Sequence, residues 1–454
     1  MYEGLMVSVS GIRGRVGEAL TPEVVTGFAA GFGAWARSRE KGRTIVVGRD
    51  SRVSGPMFHR AVLAALQSVG CDVVDVGLAP TPTIQLAVEH HRAAGGLAIT
   101  ASHNPIEWNA LKFIGPTGLF LDADEAAEMR QVAQGDFARA TWDQLGQVSV
   151  DDGAIARHIE SVLALDFIDV EAIRARRFRV ALDCARGAGG AIIPALLDRL
   201  GCDVTAINLE TDGRFPRPPE PVAANLGDLE RLVLEARSDV GFATDPDVDR
   251  LALVSDKGKA IGEDWTLAFA ARLALRYRQG PVVANLSTSR VVDDVAAEAD
   301  TTVLRAPVGE VNVAVKMRDV GAAIGGEGNG GVILSELHLG RDAPLAVAMT
   351  LQMLLEDDAP MSQTLARFPS YSIVKDKLDR PAAPLDTVYA SLRREFGDAE
   401  ANDLDGLRLS WSDRWVHVRP SGTEPIVRVI AEAPSEAEAR DLVARSRAPL
   451  DALR

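Results

Sequence analysis

Residues 64–73, AALQSVGCDV, are echoed by residues 195–204, ALLDRLGCDV. Each copy predicts a helix that ends at a glycine and is followed by a strand, because glycine tolerates the left-handed backbone at a helix end. Each copy also follows an apolar strand and a polar turn, at 44–50 and at 179–184. The chain therefore repeats a unit of strand, helix and strand.

A looser third copy lies further along the chain. Apolar strands are predicted at 282–286 and 302–304, on either side of a helix at 291–299. Strands that alternate with helices favour α/β domains, because the helices cover the faces of the sheets. We therefore expect three related α/β domains with mixed sheets.

The last part of the chain has a different pattern. A proline-rich stretch at 369–384 precedes a predicted helix at 387–396, a hairpin formed by 407–411 and 415–418, and a final helix from Ser435. This order is typical of an α+β domain. We place the four domains around a central cleft, at 1–150, 151–255, 256–366 and 367–454.

The composition is that of a globular protein with a sizeable core. The 454 residues carry a formal net charge of −15, with 47% hydrophobic and 25% charged residues. The negative charge argues against nucleic acids and acidic membranes as partners. Cys71, Cys184 and Cys202 are scattered in apolar surroundings, so we expect reduced core thiols. We recognise no signal peptide and no uninterrupted apolar stretch of the ~20 residues that are needed to span a bilayer. The cytoplasm is therefore the expected compartment.

One serine stands at the end of a predicted buried strand. The hexapeptide Thr100-Ala101-Ser102-His103-Asn104-Pro105 follows the apolar run at 96–99. The small residue at 101 and the Asn-Pro pair predict a tight turn that exposes the Ser102 hydroxyl in a cleft. We interpret Ser102 as a phosphate carrier, and a polar turn without chemistry is the alternative.

An acidic loop lies between two apolar strands. In the segment TDPDVDR at 244–250, the carboxylates of Asp245, Asp247 and Asp249 alternate. Oxygen ligands without Cys or His suit Mg²⁺ better than Zn²⁺. A calcium loop is disfavoured, because its glycine and glutamate positions hold Arg250 and Asp256. A solvated acidic turn is the other alternative.

A glycine-rich loop, GGEGNGG at 325–331, presents one carboxylate and one amide. Bare backbone allows a ligand to approach closely. Glu327 and Asn329 are the acceptor and the mixed donor and acceptor that sugar hydroxyls need. Glycine-rich turns are also common without any ligand, so this motif by itself leaves both interpretations open.

A fourth motif, RPSGTEP at 419–425, combines hydroxyls, backbone amides and a guanidinium, and Arg428 follows it. These groups suit a phosphate dianion, because the planar guanidinium of Arg419 can bind two oxygens at once. An ordinary hairpin connection is the alternative interpretation.

Together the four motifs resemble the α-D-phosphohexomutase superfamily, which contains phosphoglucomutases, phosphomannomutases and phosphoglucosamine mutases. The resemblance covers nearly the whole chain, with the motifs in the family's order. It implies that Ser102 is the phosphoserine and that Lys112 is a general acid or base. The segment SGIRG at 10–14 resembles the family's N-terminal segment, whose arginine is here Arg13. His103 and Arg250 match supporting groups in the active site.

The resemblance also implies ligand contacts. Mg²⁺ would be bound by the Ser102 phosphoserine oxygen with Asp245, Asp247 and Asp249. Glu327 would contact sugar hydroxyls. The implied loop for the non-reacting phosphate consists of Arg419, Ser421, Gly422 and Thr423.

The glycine-rich loop departs from many bacterial members of the family. Those members have a serine and a histidine after the loop glutamate, whereas this chain has Asn329 and Gly331. The form with Asn329 is similar to the loop of archaeal-type phosphoglucosamine and phosphomannose mutases. No histidine contact to the sugar is therefore carried over.

We accordingly predict a phosphohexose mutase that interconverts hexose 6-phosphate and hexose 1-phosphate through a hexose 1,6-bisphosphate, which would also activate it. Glucosamine phosphate is the favoured substrate, and mannose or glucose phosphate is the alternative. A Mg²⁺-dependent sugar-phosphate phosphatase and an inactive sugar-phosphate-binding protein are the other classes considered. Small-molecule hexose phosphates are the expected partners, with the protein a monomer or a homodimer.

Overall fold

The computed structural model of the protein describes residues 4–9, 11–39, 42–381, 383–421 and 426–452. Ser10, Gly422 and Thr423, which belong to the sequence motifs above, lie outside the described residues. Four sheets follow one another along the described chain, seven-stranded, four-stranded, four-stranded and five-stranded.

The first sheet combines parallel and antiparallel strands. Its strands are β1 (Met6–Ser8), β2 (Gly11–Arg15), β3 (Thr44–Arg49), β4 (Asp72–Leu78), β5 (Gly95–Ile99), β6 (Trp108–Ile114) and β7 (Val148–Val150). The accompanying helices are α1 (Pro22–Arg39), α2 (Gly55–Ser68), α3 (Thr81–His90) and α4 (Ala123–Gln134). The strand order is β1-β2-β6-β5-β3-β4-β7, with β3 parallel to β4 and β5, and β6 antiparallel to β5.

The second and third sheets have four strands each. The second consists of β8 (Arg179–Asp183), β9 (Asp203–Ile207), β10 (Val240–Thr244) and β11 (Leu251–Ser255). The third consists of β12 (Val282–Asn285), β13 (Val303–Ala306), β14 (Ile324–Glu327) and β15 (Gly331–Leu334). The helices around them are α5 (Ala154–Leu163), α6 (Val170–Arg176), α7 (Gly189–Arg199), α8 (Gly227–Glu235), α9 (Asp264–Tyr277), α10 (Val291–Glu298), α11 (Glu310–Val320), α12 (Ala343–Asp357) and α13 (Met361–Leu365), with a 3₁₀ turn at Ala223–Asn225.

The predicted repeat is confirmed by the strand order. The second sheet runs β11-β10-β8-β9, the third has the equivalent order β15-β14-β12-β13, and β6-β5-β3-β4 forms the same arrangement inside the first sheet. In every copy the last two strands form an antiparallel hairpin. Gly70 and Gly201 follow the repeated helices with φ of 75° and 65°, as the echoed sequences predicted.

The fourth sheet is wholly antiparallel and confirms the expected α+β part. Its strands are β16 (Ser372–Asp379), β17 (Glu400–Asn402), β18 (Leu407–Ser410), β19 (Trp415–Pro420) and β20 (Ile426–Ala433), in the order β16-β20-β19-β18-β17. Its helices are α14 (Leu385–Glu395) and α15 (Glu436–Ala452). The predicted hairpin corresponds to β18 and β19.

The cores show which parts of the molecule are joined most closely. One apolar cluster includes side chains of the second and third sheets and of the helices that pack on them, among them Phe242 on β10, Phe269 on α9 and Leu345 on α12. The fourth sheet has its own cluster, which includes Val416 and Leu442. None of the helices in the described part of the chain has the length and apolar character needed to cross a membrane.

The three cysteine thiols are free, as the scattered positions predicted. Cys71 and Cys184 are buried, whereas Cys202 is only partly buried and does not lie fully in the core. Burial raises the pKa of the Cys71 thiol to about 11.

A buried polar junction joins the first three parts of the protein. Asp342, at the start of α12, accepts hydrogen bonds from His158 Nε2 at 2.7 Å and His338 Nε2 at 3.0 Å. His158 Nδ1 in turn lies 2.8 Å from the hydroxyl of Thr83 on α3. Burial alone would raise the pKa of Asp342, but the two histidines hold it well below its ordinary value. The carboxylate therefore stabilises the fold in its ionised form.

Replacing Asp342 by Ala should lower the free energy of unfolding by about 3 kcal/mol or more, because buried donors would lose their acceptor. The folded-state pKa is depressed, so this stabilisation is present above about pH 4 and is lost progressively on acidification. Thermal melting across pH should show a large difference from the parent at pH 7 that shrinks below about pH 4. Asp319→Ala, at an exposed position on α11, is the control. Equal melting of the Asp342 variant and the parent at pH 7 would contradict the proposed role of the junction.

Candidate active site

Ser102 lies directly after β5, with φ of 48°. Its hydroxyl donates to Asp245 Oδ2 at 2.9 Å and lies 3.3 Å from His103 Nδ1. The residue is only 3% exposed, so the expectation of an exposed turn is wrong for this structure. The acidic loop covers the hydroxyl, and a left-handed backbone at a non-glycine residue is a strained feature that the surroundings must hold.

Arg52 holds the backbone of the Ser102 loop and was missed in the sequence. It is fully buried, and its guanidinium donates to Asp50 and to four carbonyl oxygens of the loop. The four carbonyls belong to Ser102, Asn104, Pro105 and Trp108, at 2.6 to 2.9 Å. The available signal was an Asp and an Arg, two residues apart, directly after a buried strand.

The acidic loop brings its three carboxylates to one point. Asp245, Asp247 and Asp249 are completely buried, and one oxygen of each lies within 4.8 Å of the others. Between them Val248 has φ of 64°, which is a genuine outlier for a β-branched residue. The convergence of the three aspartates therefore requires a strained backbone at Val248.

Cationic side chains from β6 and from the acidic loop itself surround this cluster. Lys112, on β6, donates to Asp247 Oδ2 at 2.7 Å and lies 3.5 Å from Asp249 Oδ2. Burial alone would lower the pKa of Lys112, but these two carboxylates raise it above its ordinary value. Arg250 lies with its Nε 3.7 Å from Asp249 Oδ1. These cations reduce the repulsion among the three carboxylates.

The donor set fits a hard divalent cation. Asp247 Oδ1 and Asp249 Oδ1 are buried and accept no hydrogen bond from any described residue. Burial and then the charges of Asp249 and Asp247 raise the pKa of Asp245 well above its usual range. Converging oxygens with unused lone pairs are what Mg²⁺ needs, because it prefers oxygen ligands. Thr81, a further residue missed in the sequence, donates to the other oxygen of Asp247 at 2.8 Å.

Arg13 and His103 lie beside the same cluster. Arg13, on β2, donates from Nη1 to Asn104 Oδ1 in the Ser102 loop. Burial, together with the charges of Arg250 and Arg13, lowers the pKa of His103 well below its ordinary value. The structure therefore brings together all five residues that the sequence suggested as catalytic groups.

The glycine-rich loop packs against the acidic loop. Gly330 accepts a hydrogen bond from Leu251 N at 3.0 Å. Glu327 is buried and accepts from Asn285 Nδ2 at 2.8 Å and from Gly309 N at 2.9 Å. Asn329 Nδ2 lies 3.4 Å from Glu327 Oε2. The carboxylate is thus held firmly before any ligand arrives.

The first two residues of the fourth motif, Arg419 and Pro420, lie on β19 of the fourth sheet. Arg419 is opposite Arg428 across β19 and β20, and its Nε donates to Asp405 Oδ2 at 2.8 Å. The same oxygen accepts from Val308 N at 3.1 Å, which connects the fourth sheet to the third part of the chain. Ser421 N donates to Ile426 O at 2.9 Å.

Arg341, a third residue missed in the sequence, donates to Asp249, Glu327 and Glu310. It stands in an ordinary loop after β15 and belongs to none of the four motifs. Only the tertiary structure shows that it touches two of them.

Comparison with known families identifies the class of protein. Residues 5–139, 156–258 and 262–371 match alpha/beta/alpha domains I, II and III of phosphoglucomutase/phosphomannomutase, and residues 374–448 match the C-terminal domain. These matches identify a phosphohexomutase enzyme. The chain belongs to the phosphoglucomutase/phosphomannomutase family.

Similar proteins cover nearly the whole chain. A protein of Methanopyrus kandleri named "Probable phosphoglucosamine mutase" is 38% identical over 97% of this chain and 96% of its own length. A "Phosphoglucomutase/phosphomannomutase" of Thermococcus kodakarensis is 37% identical, with 96% of each chain covered. The crystal structure of a phosphoglucomutase/phosphomannomutase family protein from Burkholderia thailandensis has a TM-score of 0.86 at 26% identity, over 99% of this chain and 97% of that one.

Arg52→Lys should lower mutase kcat by about 10- to 100-fold. An ammonium group cannot bind the four loop carbonyls that the guanidinium binds together. The Ser102 loop would then shift, and small displacements of reacting groups lower the reaction rate strongly. Steady-state kinetics should be compared with Arg60→Lys, which changes an exposed arginine on α2. A kcat for Arg52→Lys equal to that of the control would show that the Ser102 loop does not need this support.

Proposed function

We propose that the protein interconverts hexose 6-phosphate and hexose 1-phosphate, with Ser102 as a phosphoserine and a hexose 1,6-bisphosphate as the intermediate. The observation that carries this proposal is the hydrogen bond of the Ser102 hydroxyl to Asp245, inside a buried cluster of three carboxylates. A serine at such a place is shielded from water and surrounded by groups that can control a phosphoryl group.

The proposed reaction has two phosphoryl transfers. In the first, the bond from Ser102 Oγ to phosphorus breaks, and a bond from phosphorus to the free sugar hydroxyl forms. The sugar hydroxyl loses its proton and Ser102 Oγ gains one, so the transfer needs a base and an acid. We assign the acid role to Lys112, which is protonated beside Asp247, and the neutral His103 supplies the base next to Ser102. The bisphosphate then turns, and its other phosphoryl group returns to Ser102. This second transfer regenerates the phosphoserine, and no water is consumed in the cycle.

The residues that would hold Mg²⁺ are Asp245, Asp247 and Asp249, with an oxygen of the Ser102 side chain. When bound, the ion would offset the negative charge of the cluster and of the transferring phosphoryl group. Arg13 and Arg250 supply further positive charge from two different parts of the chain. Lys112 stays attached to Asp247 and is therefore oriented by the same loop.

We assign substrate contacts to the other two loops. Glu327 and Asn329 would bind the sugar hydroxyls, because both lie on the glycine-rich loop that packs against the acidic loop. The phosphate that does not react would be bound by Arg419, Ser421, Gly422, Thr423 and Arg428. The same pocket would have to accept the bisphosphate in both orientations.

Glucosamine 6-phosphate is the proposed substrate. It is supported by the name of the Methanopyrus kandleri relative and by Asn329 in the glycine-rich loop. The name of the Thermococcus kodakarensis relative favours mannose or glucose phosphate as the second candidate. The two relatives are almost equally similar, so kinetics must decide between the sugars.

The purified enzyme, supplied with Mg²⁺ and catalytic bisphosphate, should show its highest kcat/KM with glucosamine 1-phosphate. Mannose 1-phosphate and glucose 1-phosphate are the comparison substrates in the same assay. A higher kcat/KM for either comparison sugar would reject the glucosamine assignment and leave the mutase proposal intact. Stoichiometric release of inorganic phosphate would instead indicate a phosphatase.

Ser102→Ala should abolish mutase turnover almost completely without unfolding the protein. Intact-protein mass spectrometry should find one phosphate on the parent after incubation with bisphosphate and none on the variant. Ser161→Ala, on the surface of α5, is the matched control and should keep both properties. Undiminished isomerisation by the Ser102 variant would disprove the phosphoserine cycle.

A further inference from the structure

Arg341 uses all three guanidinium nitrogens on carboxylates. Nη2 donates to Asp249 Oδ2 at 2.5 Å, Nη1 donates to Glu327 Oε2 at 2.6 Å, and Nε donates to Glu310 Oε2 at 3.0 Å. The side chain is only 8% exposed. Its partners come from the acidic loop, from the glycine-rich loop and from the first turn of α11, so one side chain joins three separate elements.

The contact orients Asp249. Arg341 and Lys112 both approach Oδ2 of this aspartate, while Oδ1 accepts no hydrogen bond from any described residue. A carboxylate held by one oxygen presents the other in a fixed direction. Partners of this kind orient metal ligands and influence metal affinity, although they do not touch the ion.

The same guanidinium orients Glu327. Oε1 of Glu327 is occupied by Asn285 Nδ2 and Gly309 N, and Arg341 Nη1 binds Oε2. Burial would raise the pKa of Glu327, but Arg341 and these donors hold it below its ordinary value. The carboxylate proposed to face the sugar is therefore ionised and fixed by the residue that also holds Asp249.

Gly331 provides the space for this arrangement. It lies opposite Glu327 in the hairpin of β14 and β15. A Cβ at position 331 would lie 2.2 Å from Arg341 Cδ, 2.9 Å from Cγ and 3.2 Å from Nε, and these are its three nearest atoms. The backbone of Gly331 does not have positive φ, so an alanine at this position would cause no backbone strain. It would be excluded only because its methyl group would collide with the Arg341 side chain.

We propose that Arg341 is a positioning residue that couples the metal ligand Asp249 to the sugar-binding Glu327, and that Gly331 is required because Arg341 passes over it. The proposal rests on the proposed function for the roles of these two carboxylates. It assigns the coupling to a pair, Gly331 and Arg341, in which the glycine affects the site only through the arginine.

The test is a double-mutant cycle of Gly331→Ala, Arg341→Ala and the double variant. Binding of Mg²⁺ alone is measured by calorimetry, and KM and kcat are measured with the hexose phosphates. Arg341→Ala should weaken Mg²⁺ binding about 10- to 100-fold and should also change KM and the ratio of kcat/KM between hexoses. Gly331→Ala should change the same quantities in the same direction, because it displaces the guanidinium without removing its charge.

The double variant should behave like Arg341→Ala, since without the arginine the new methyl group meets none of the atoms that excluded it. Additive effects of the two substitutions would overturn the proposal, as would Mg²⁺ affinity unchanged in Arg341→Ala. Gly227→Ala is the matched control, because a Cβ there meets nothing within 4 Å. Arg341→Ala removes a guanidinium contact from three buried carboxylates, so circular dichroism must confirm that the variant folds. If that variant does not fold, Gly331→Ala alone tests the proposal.

The cycle also separates this proposal from the proposed function. A parent protein that binds Mg²⁺ but has no mutase activity would reject the proposed function, while calorimetry would still report the coupling between Gly331 and Arg341. Normal mutase activity with additive variants would reject the coupling alone.

Discussion

The arrangement of the site depends on offsetting the repulsion among the buried carboxylates of Asp245, Asp247 and Asp249. At separations within 4.8 Å, two ionised carboxylates repel by about 3 kcal/mol if the effective dielectric constant is about 20. Burial adds to that cost. Lys112 from the first sheet and Arg341 from the third part of the chain compensate for it, so the acidic loop draws different parts of the chain to one place.

The repeated sheet explains how the loops reach this centre. The Ser102 loop joins β5 to β6, the acidic loop joins β10 to β11, and the glycine-rich loop joins β14 to β15. In each copy this is the hairpin between the last two strands of the four-strand unit. The same hairpin position thus carries a serine in the first copy, three aspartates in the second and a glutamate in the third. This agrees with the rule that functional residues lie in loops on a rigid framework.

The sequence predicted local elements well, but it missed long-range contacts made by residues outside the recognised motifs. The echo of residues 64–73 at 195–204 predicted helix, glycine and strand correctly, because left-handed glycine after a helix is a local property. Arg52 and Arg341 were missed, although each supports a candidate site loop. Their partners lie far away in the chain, and an arginine in a polar turn has no local pattern that distinguishes a buried support from a solvated side chain. The turn that carries Ser102 was predicted correctly, but its exposure was predicted wrongly. The hydroxyl is covered by the acidic loop, whose Asp245 lies 143 positions away in the chain.

By itself, the sequence determined the repeated α/β units, the α+β end, and the loops that carry a serine, three aspartates, a glutamate and an arginine. These follow from hydrophobic periodicity, glycine and proline positions, and the donor chemistry of residues close together in the chain. Only the tertiary structure decided that Ser102 donates to Asp245, that Lys112 binds Asp247, and that Arg341 joins Asp249 to Glu327. Such contacts require separate elements to approach within hydrogen-bond distance, and that approach is determined by the packing of whole sheets and helices.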